Sequence, residues 1–144
     1  MSTSVSPTAR SRASLDTTAF AKYFELGGRI LLASLFLLSG LTKMSAYAAT
    51  AGYMTAMGVS PALLPLVIAT EVLGSLAIIV GWNTRVAAFL LAGFTLIAGV
   101  IFHNNFGDQI QTIMFLKDVS ITGAFLLLVA NGAGPLSFDH RRAR

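Results

Sequence analysis

The sequence predicts an all-α membrane protein, a transmembrane four-helix bundle with a short interfacial helix between spans one and two. Composition is the first ground. Of 144 residues, 55% are hydrophobic and 11% charged, and mean hydropathy is +0.75. A soluble domain carries roughly 25% charged residues, so this chain lacks the polar surface to cover itself. The second ground is four apolar stretches, at 24–42, 61–80, 84–102 and 112–130. As a helix each reaches roughly 30 Å, the thickness of a hydrocarbon core. The third is physical: in lipid each backbone N–H and C=O must be bonded within its own segment, which makes these runs helices despite their β-branched residues.

The elements follow in order. Residues 1–18 are rich in Ser, Thr, Ala and Arg and read as a disordered basic tail, taken here as 1–22. The membrane domain spans 23–135, and 136–144 read as a basic C-terminal tail. Between spans one and two, 46–57 is too short to cross and contains Tyr47 and Tyr53. It reads as a helix lying at the membrane surface, where tyrosine is favoured. Ser60-Pro61 and Asn83-Thr84 supply N-caps for spans two and three. Asn131-Gly132 closes span four, with Pro135 beyond it. Gly93 and Gly99 suit close helix packing within the chain or between copies, which leaves a homo-oligomer open.

Charge gives orientation. Arg10, Arg12, Lys22, Arg29, Arg85, Arg141, Arg142 and Arg144 fall on one side of a four-span chain, and only Lys43 and Lys117 fall toward the other. Both termini are therefore expected in the cytoplasm. The net charge of +4 is topogenic on this reading and implies the lipid bilayer, not nucleic acid, as the partner. Arg29 and Arg85 read as boundary anchors. The run 10–41 followed by Ala46-Tyr47-Ala48 loosely imitates a cleaved secretory signal. Its n-region would be unusually long and would contain Asp16 and Glu25, so the uncleaved reading is preferred.

Ionisable residues in hydrocarbon cost a few kcal/mol and normally face a partner or a wet cavity. The topology brings this chain's few such residues together. Glu71 lies roughly 15 Å below the outer edge of span two, and Lys117 and Asp118 roughly 8–9 Å deep in span four, at 1.5 Å per residue. Lys43 closes span one and His103 closes span three on the same side. Glu71 and His103 are the candidate catalytic groups, and Lys43, Lys117 and Asp118 the candidate ligand-binding ones. Stripes at helical spacing carry these charges inward: Arg29, Phe36, Gly40 and Lys43, with Ser39 at the edge; Glu71, Gly74, Ser75 and Ile78; Arg85, Ala88, Ala92, Thr95, Gly99 and His103. Each group also has a plainer reading. Lys43 snorkels to the headgroups, Glu71 forms a structural ion pair with Lys43 or Lys117, and His103 caps its helix. Lys117 and Asp118, being adjacent, point about 100° apart and cannot serve one wall equally.

Several chemistries fall away. The chain has no cysteine, which removes disulfides, thiolate metal sites and iron–sulfur ligation. Its two histidines, His103 and His140, cannot jointly ligate a haem in one bundle, and no metal is expected. No phosphate-binding glycine loop is present. Any redox role needs an external electron carrier.

Ser39-Gly40-Leu41-Thr42-Lys43, Gly58-Val59-Ser60-Pro61, the Glu71 span ending at Gly81, Thr84-Arg85-Val86-Ala87-Ala88-Phe89, His103, and Gly132-Ala133-Gly134-Pro135-Leu136-Ser137-Phe138-Asp139 resemble the DoxX family. The resemblance runs from about Gly28 to Asp139 and includes span one, against a cleaved signal. It implies a four-span bacterial inner-membrane protein associated with oxidoreductase assemblies, among them quinone-reducing ones. The family's lysine, glutamate and histidine map to Lys43, Glu71 and His103. The expectation that follows is a membrane subunit docking a quinone-like or small apolar molecule in the outer half of the bundle, with electrons from a redox partner protein. A structural or assembly subunit without its own ligand is the alternative. An exporter ranks lower, because the inner half offers only Arg29 and Arg85 near its rim.

Overall fold

A computed structural model describes the backbone of residues 7–143 and the side chains of residues 20–143. The chain forms α1 (Pro7–Ser45), α2 (Tyr47–Ala56), a 3-10 turn (Pro61–Leu63), α3 (Leu64–Val80), α4 (Thr84–Phe102), α5 (Gln109–Asn131) and α6 (Phe138–Arg142), with no strand among the described residues. Among the described residues, four segments are long and apolar enough to cross a bilayer: Phe20–Ser45, Pro61–Val80, Thr84–Phe102 and Gln109–Asn131. Of the basic tail read at 1–22, residues 1–6 lie outside the described part. From Pro7 the backbone runs helically into span one, since 8–26 contain neither glycine nor proline to stop it.

The packing order is α1 on α3, α3 on α4 and α4 on α5. Phe36 of α1 reaches Phe125 of α5, ring centroids 5.2 Å apart, and closes the bundle at mid-depth. Ala33, Ile78, Ala88, Leu91 and Ala92 complete this core. The small residues let the helices come close. A Cβ on Gly40 would lie 2.6 Å from Val72 Cγ2, and one on Gly99 2.9 Å from Asp118 Oδ2. Gly99 thus serves packing within the chain, while Gly93 has nothing within 4 Å. Leu, Ile and Phe side chains remain exposed all around the outside, as a lipid-facing surface requires.

We call the end holding α2 and the α4–α5 connection the distal end, and the other the terminal end. The caps at the terminal end differ from those read in the sequence. Asn83 sits at the N-terminus of α4 with φ 48° and makes no side-chain cap. The cap comes from Asp139, whose carboxylate accepts from Asn83 N at 2.7 Å and Thr84 N at 2.9 Å. Asp139 N in turn donates to Gly81 O at 2.8 Å. Residues 136–144 are therefore not a loose tail over their described part: Ser137 caps α6, accepting from His140 N at 3.2 Å, and the segment is stitched to the α3–α4 turn. Gly81, at φ 75°, makes the turn possible, and a side chain there would collide with Ser137 and Arg29.

Burial pushes the Asp139 carboxyl up, but the hydrogen bonds from Thr84 and Asn83, helped by Arg29, outweigh it and hold the group below its ordinary 3.8. A group depressed on folding contributes stability that is present above its ordinary value and fades as pH falls through the depressed one. Acidification below 3.8 is thus expected to release the α6 segment first. Asp139→Ala is expected to do the same at neutral pH, at a cost of about 0.5–2 kcal/mol for a lost cap. Amide exchange at Asn83 and Thr84 reads both effects, and unchanged protection in the variant would refute the cap.

Candidate functional site

The distal half of the bundle holds a half-open cavity of about 350 Å³ lined by Lys43, Glu71, His103, Lys117 and Asp118 together. Its walls are mostly apolar: Leu35 and Phe36 from α1, Val67 from α3, Phe94 and Phe102 from α4, Ile121 from α5. The short helix predicted between the first two spans is present as α2 and roofs the cavity with Thr50, Tyr53 and Met54. Tyr53 stacks on Phe102 at 5.5 Å, holding the roof to the wall.

One side of the polar set is closed on itself. Gly40 lets α3 approach α1 and sets Glu71 opposite the last turn of α1. Lys43 Nζ donates to both carboxylate oxygens of Glu71 at 2.9 Å and to Ser39 Oγ at 2.5 Å. Ser39 Oγ donates to Glu71 Oε1 at 3.2 Å. All three ammonium hydrogens are thereby used. The Glu71 side chain is 4% exposed and that of Lys43 26%, so the pair is shielded and does not snorkel. Of the two lysines available to Glu71, the fold selects Lys43.

The other side is looser. Gly99 makes room for Asp118 on α5, and His103 follows one turn later as the C-cap of α4. His103 Nε2 lies 3.9 Å from Asp118 Oδ2, and Nδ1 lies 2.9 Å from Gln111 Oε1. Gln111 is placed by the start of α5, where Asp108 accepts from Ile110 N at 2.8 Å. Lys117 lies at the exposed rim, its ammonium 3.8 Å from Met114 Sδ and in no ion pair within 4 Å among the described residues.

Two site residues escaped the sequence reading in this role. Ser39 was placed at the edge of a stripe, although its spacing of four from Lys43 was a usable signal. Gln111, uncharged and close to a span's end, gave none. Arg29 requires a correction. It is not a boundary anchor but 2% exposed, with Nη1 donating to Ile78 O at 3.3 Å and Nη2 to Leu136 O at 2.5 Å. The reason is what covers it: the end of α3, the Gly81 turn and the Leu136–Ser137 segment close over the guanidinium. Arg85, by contrast, is exposed.

Fold and cavity together define a multi-pass membrane protein with a roofed, apolar-walled chamber whose polar groups come from all four spans. The chain belongs to the DoxX family, which matches residues 24–104. It is similar to inner membrane protein YqjF of Escherichia coli K12, 46% identical over 79% of this chain and 88% of that one. It is also similar to inner membrane protein YphA of the same organism, 35% identical over 83% of this chain and 97% of that one. No solved structure matches it.

Proposed function

We propose that the protein is the membrane subunit of an oxidoreductase system and docks a quinone-like molecule in the distal cavity. The observation carrying this reading is the cavity itself: about 350 Å³, within the range of small-molecule sites, with apolar walls and hydrogen-bonding groups gathered at one end. That donor set suits a flat apolar ring bearing oxygen. His103 and Lys117 hold the oxygen end, while Phe36, Phe94 and Ile121 pack the ring. When bound, such a molecule supplies two-electron redox chemistry, which a chain without cysteine and with two histidines does not supply from its own side chains. Glu71, with Lys43 holding its charge, relays a proton to the cavity, and Asp118 and Lys117 adjust the charge around it. Electrons arrive from a partner protein. The distal end faces the periplasm and both termini face the cytoplasm, because Lys22, Arg85, Arg141 and Arg142 gather at the terminal end.

A structural subunit is the second reading, and the closed Ser39–Lys43–Glu71 network favours it. Binding decides between the two. In nanodiscs, His103→Ala and Glu71→Gln are each expected to weaken a short-tailed ubiquinone analogue at least about tenfold, the scale of a lost hydrogen bond to a charged or buried group. Binding unchanged in both variants would overturn the docking reading.

A further inference from the structure

His103 and Asp118 stand at an informative separation. Their facing atoms, Nε2 and Oδ2, are 3.9 Å apart, beyond hydrogen-bond length. On the other side of the ring, Nδ1 is 2.9 Å from Gln111 Oε1. An amide oxygen offers only lone pairs, so this contact places a hydrogen on Nδ1. A neutral ring held this way turns a bare lone pair at Nε2 toward the carboxylate. Two such atoms repel unless a proton stands between them, on one of them or on a bridging molecule.

We propose that His103 and Asp118, aligned by Gln111 and sharing one proton, form a clamp for a single ligand oxygen, and that the clamp selects a hydroxyl over a carbonyl. An oxygen about 2.8 Å from each atom bridges such a gap with two ordinary hydrogen bonds. A hydroxyl accepts from one member of the pair and donates to the other, which matches the one proton held. A carbonyl oxygen only accepts, so both members must donate and binding takes up one further proton. The groups facing the clamp from elsewhere are the self-neutralised Lys43–Glu71 pair on α1 and α3, the Lys117 ammonium on α5 and the Tyr53 phenol on α2. None of them replaces the missing donor or acceptor at the 3.9 Å gap. Gln111 is a positioning residue, acting through the His103 ring. The inference rests on the quinone-like reading of the cavity and deepens it: the preferred ligand is an apolar phenol, the hydroxyl-bearing counterpart of a quinone.

The test has two arms in lipid nanodiscs. In ligand-free protein, nitrogen NMR of the His103 ring is expected to show Nδ1 protonated throughout about pH 6–8, the range in which histidine titrates. Gln111→Leu is expected to lose that signature, and Gln111→Glu, which keeps an acceptor, to retain it. In the binding arm, 2,3,5-trimethylphenol is expected to bind at least about tenfold more tightly than its methyl ether, as for a site built around one hydroxyl. Asp118→Ala is expected to abolish the difference. Duroquinone affinity is expected to fall by about tenfold per pH unit where its binding takes up a proton. A bare Nδ1 in the native protein, or equal binding of phenol and ether, overturns the clamp while leaving the cavity reading in place. Failure of all three probes to bind overturns the cavity reading and the clamp with it.

Discussion

Glu71→Ala is expected to destabilise the bundle by about 3–5 kcal/mol, the scale seen when one partner of a buried ion pair is removed. The cause is the lysine left behind. Lys43 directs its ammonium at two carboxylate oxygens and Ser39 Oγ, and without Glu71 it must either lose its proton or pull away from α3. The same reasoning gives an opposite expectation for a double replacement. Lys43→Met with Glu71→Leu removes both charges and fills similar volume, so it is expected to recover most of the loss. Reversible unfolding in detergent measures both. If the double variant is as unstable as the single one, the pair itself is not what determines stability. If the double variant is stable but binds no quinone analogue, the two charges belong to the ligand site as well as to the packing.

The spans and the gathering of charge could be read from sequence because lipid imposes both. A helix must match the hydrocarbon thickness, so four apolar runs fixed four crossings to within a few residues. Ionisable side chains within those runs are few, so their depths could be compared. Which charge meets which could not be read. Lys43 and Lys117 both belong to the distal half, and the choice between them depends on helix rotation. That rotation is set by Gly40 against Val72 and Gly99 against Asp118, contacts between residues that sequence patterns alone do not pair. The terminal end was misread for a related reason. Asn83 has the composition of a cap but a left-handed backbone, and its work is done by Asp139, which lies beyond two further helices. An acidic residue within a basic segment was the only sign of this.

Arg29→Leu is expected to free the C-terminal segment and leave the distal cavity intact. The guanidinium joins three parts of the fold: α1, which carries it; the end of α3, through Ile78 O; and the chain before α6, through Leu136 O. It makes no ion pair within 4 Å among the described residues, so its charge is met by carbonyl oxygens and by the more distant Glu25 and Asp139. Hydrogen bonds to a charged group are worth about 1.5–3 kcal/mol. Leucine fills the space beside Ile78 but leaves both carbonyls without this donor, and Leu136 O lies in a stretch with no helix of its own to satisfy it. The loss is therefore expected to appear where the C-terminal chain docks. Limited proteolysis should cut the variant after about residue 132, at loop backbone that becomes accessible once undocked. Phenol and quinone-analogue affinities in the distal cavity should remain at the native level, because no distal residue depends on Arg29 for a hydrogen bond. Uncut protein would show that Asp139 and Ser137 hold the segment without the arginine. Altered ligand affinity would instead show that the two ends of the bundle are coupled through α1 and α3.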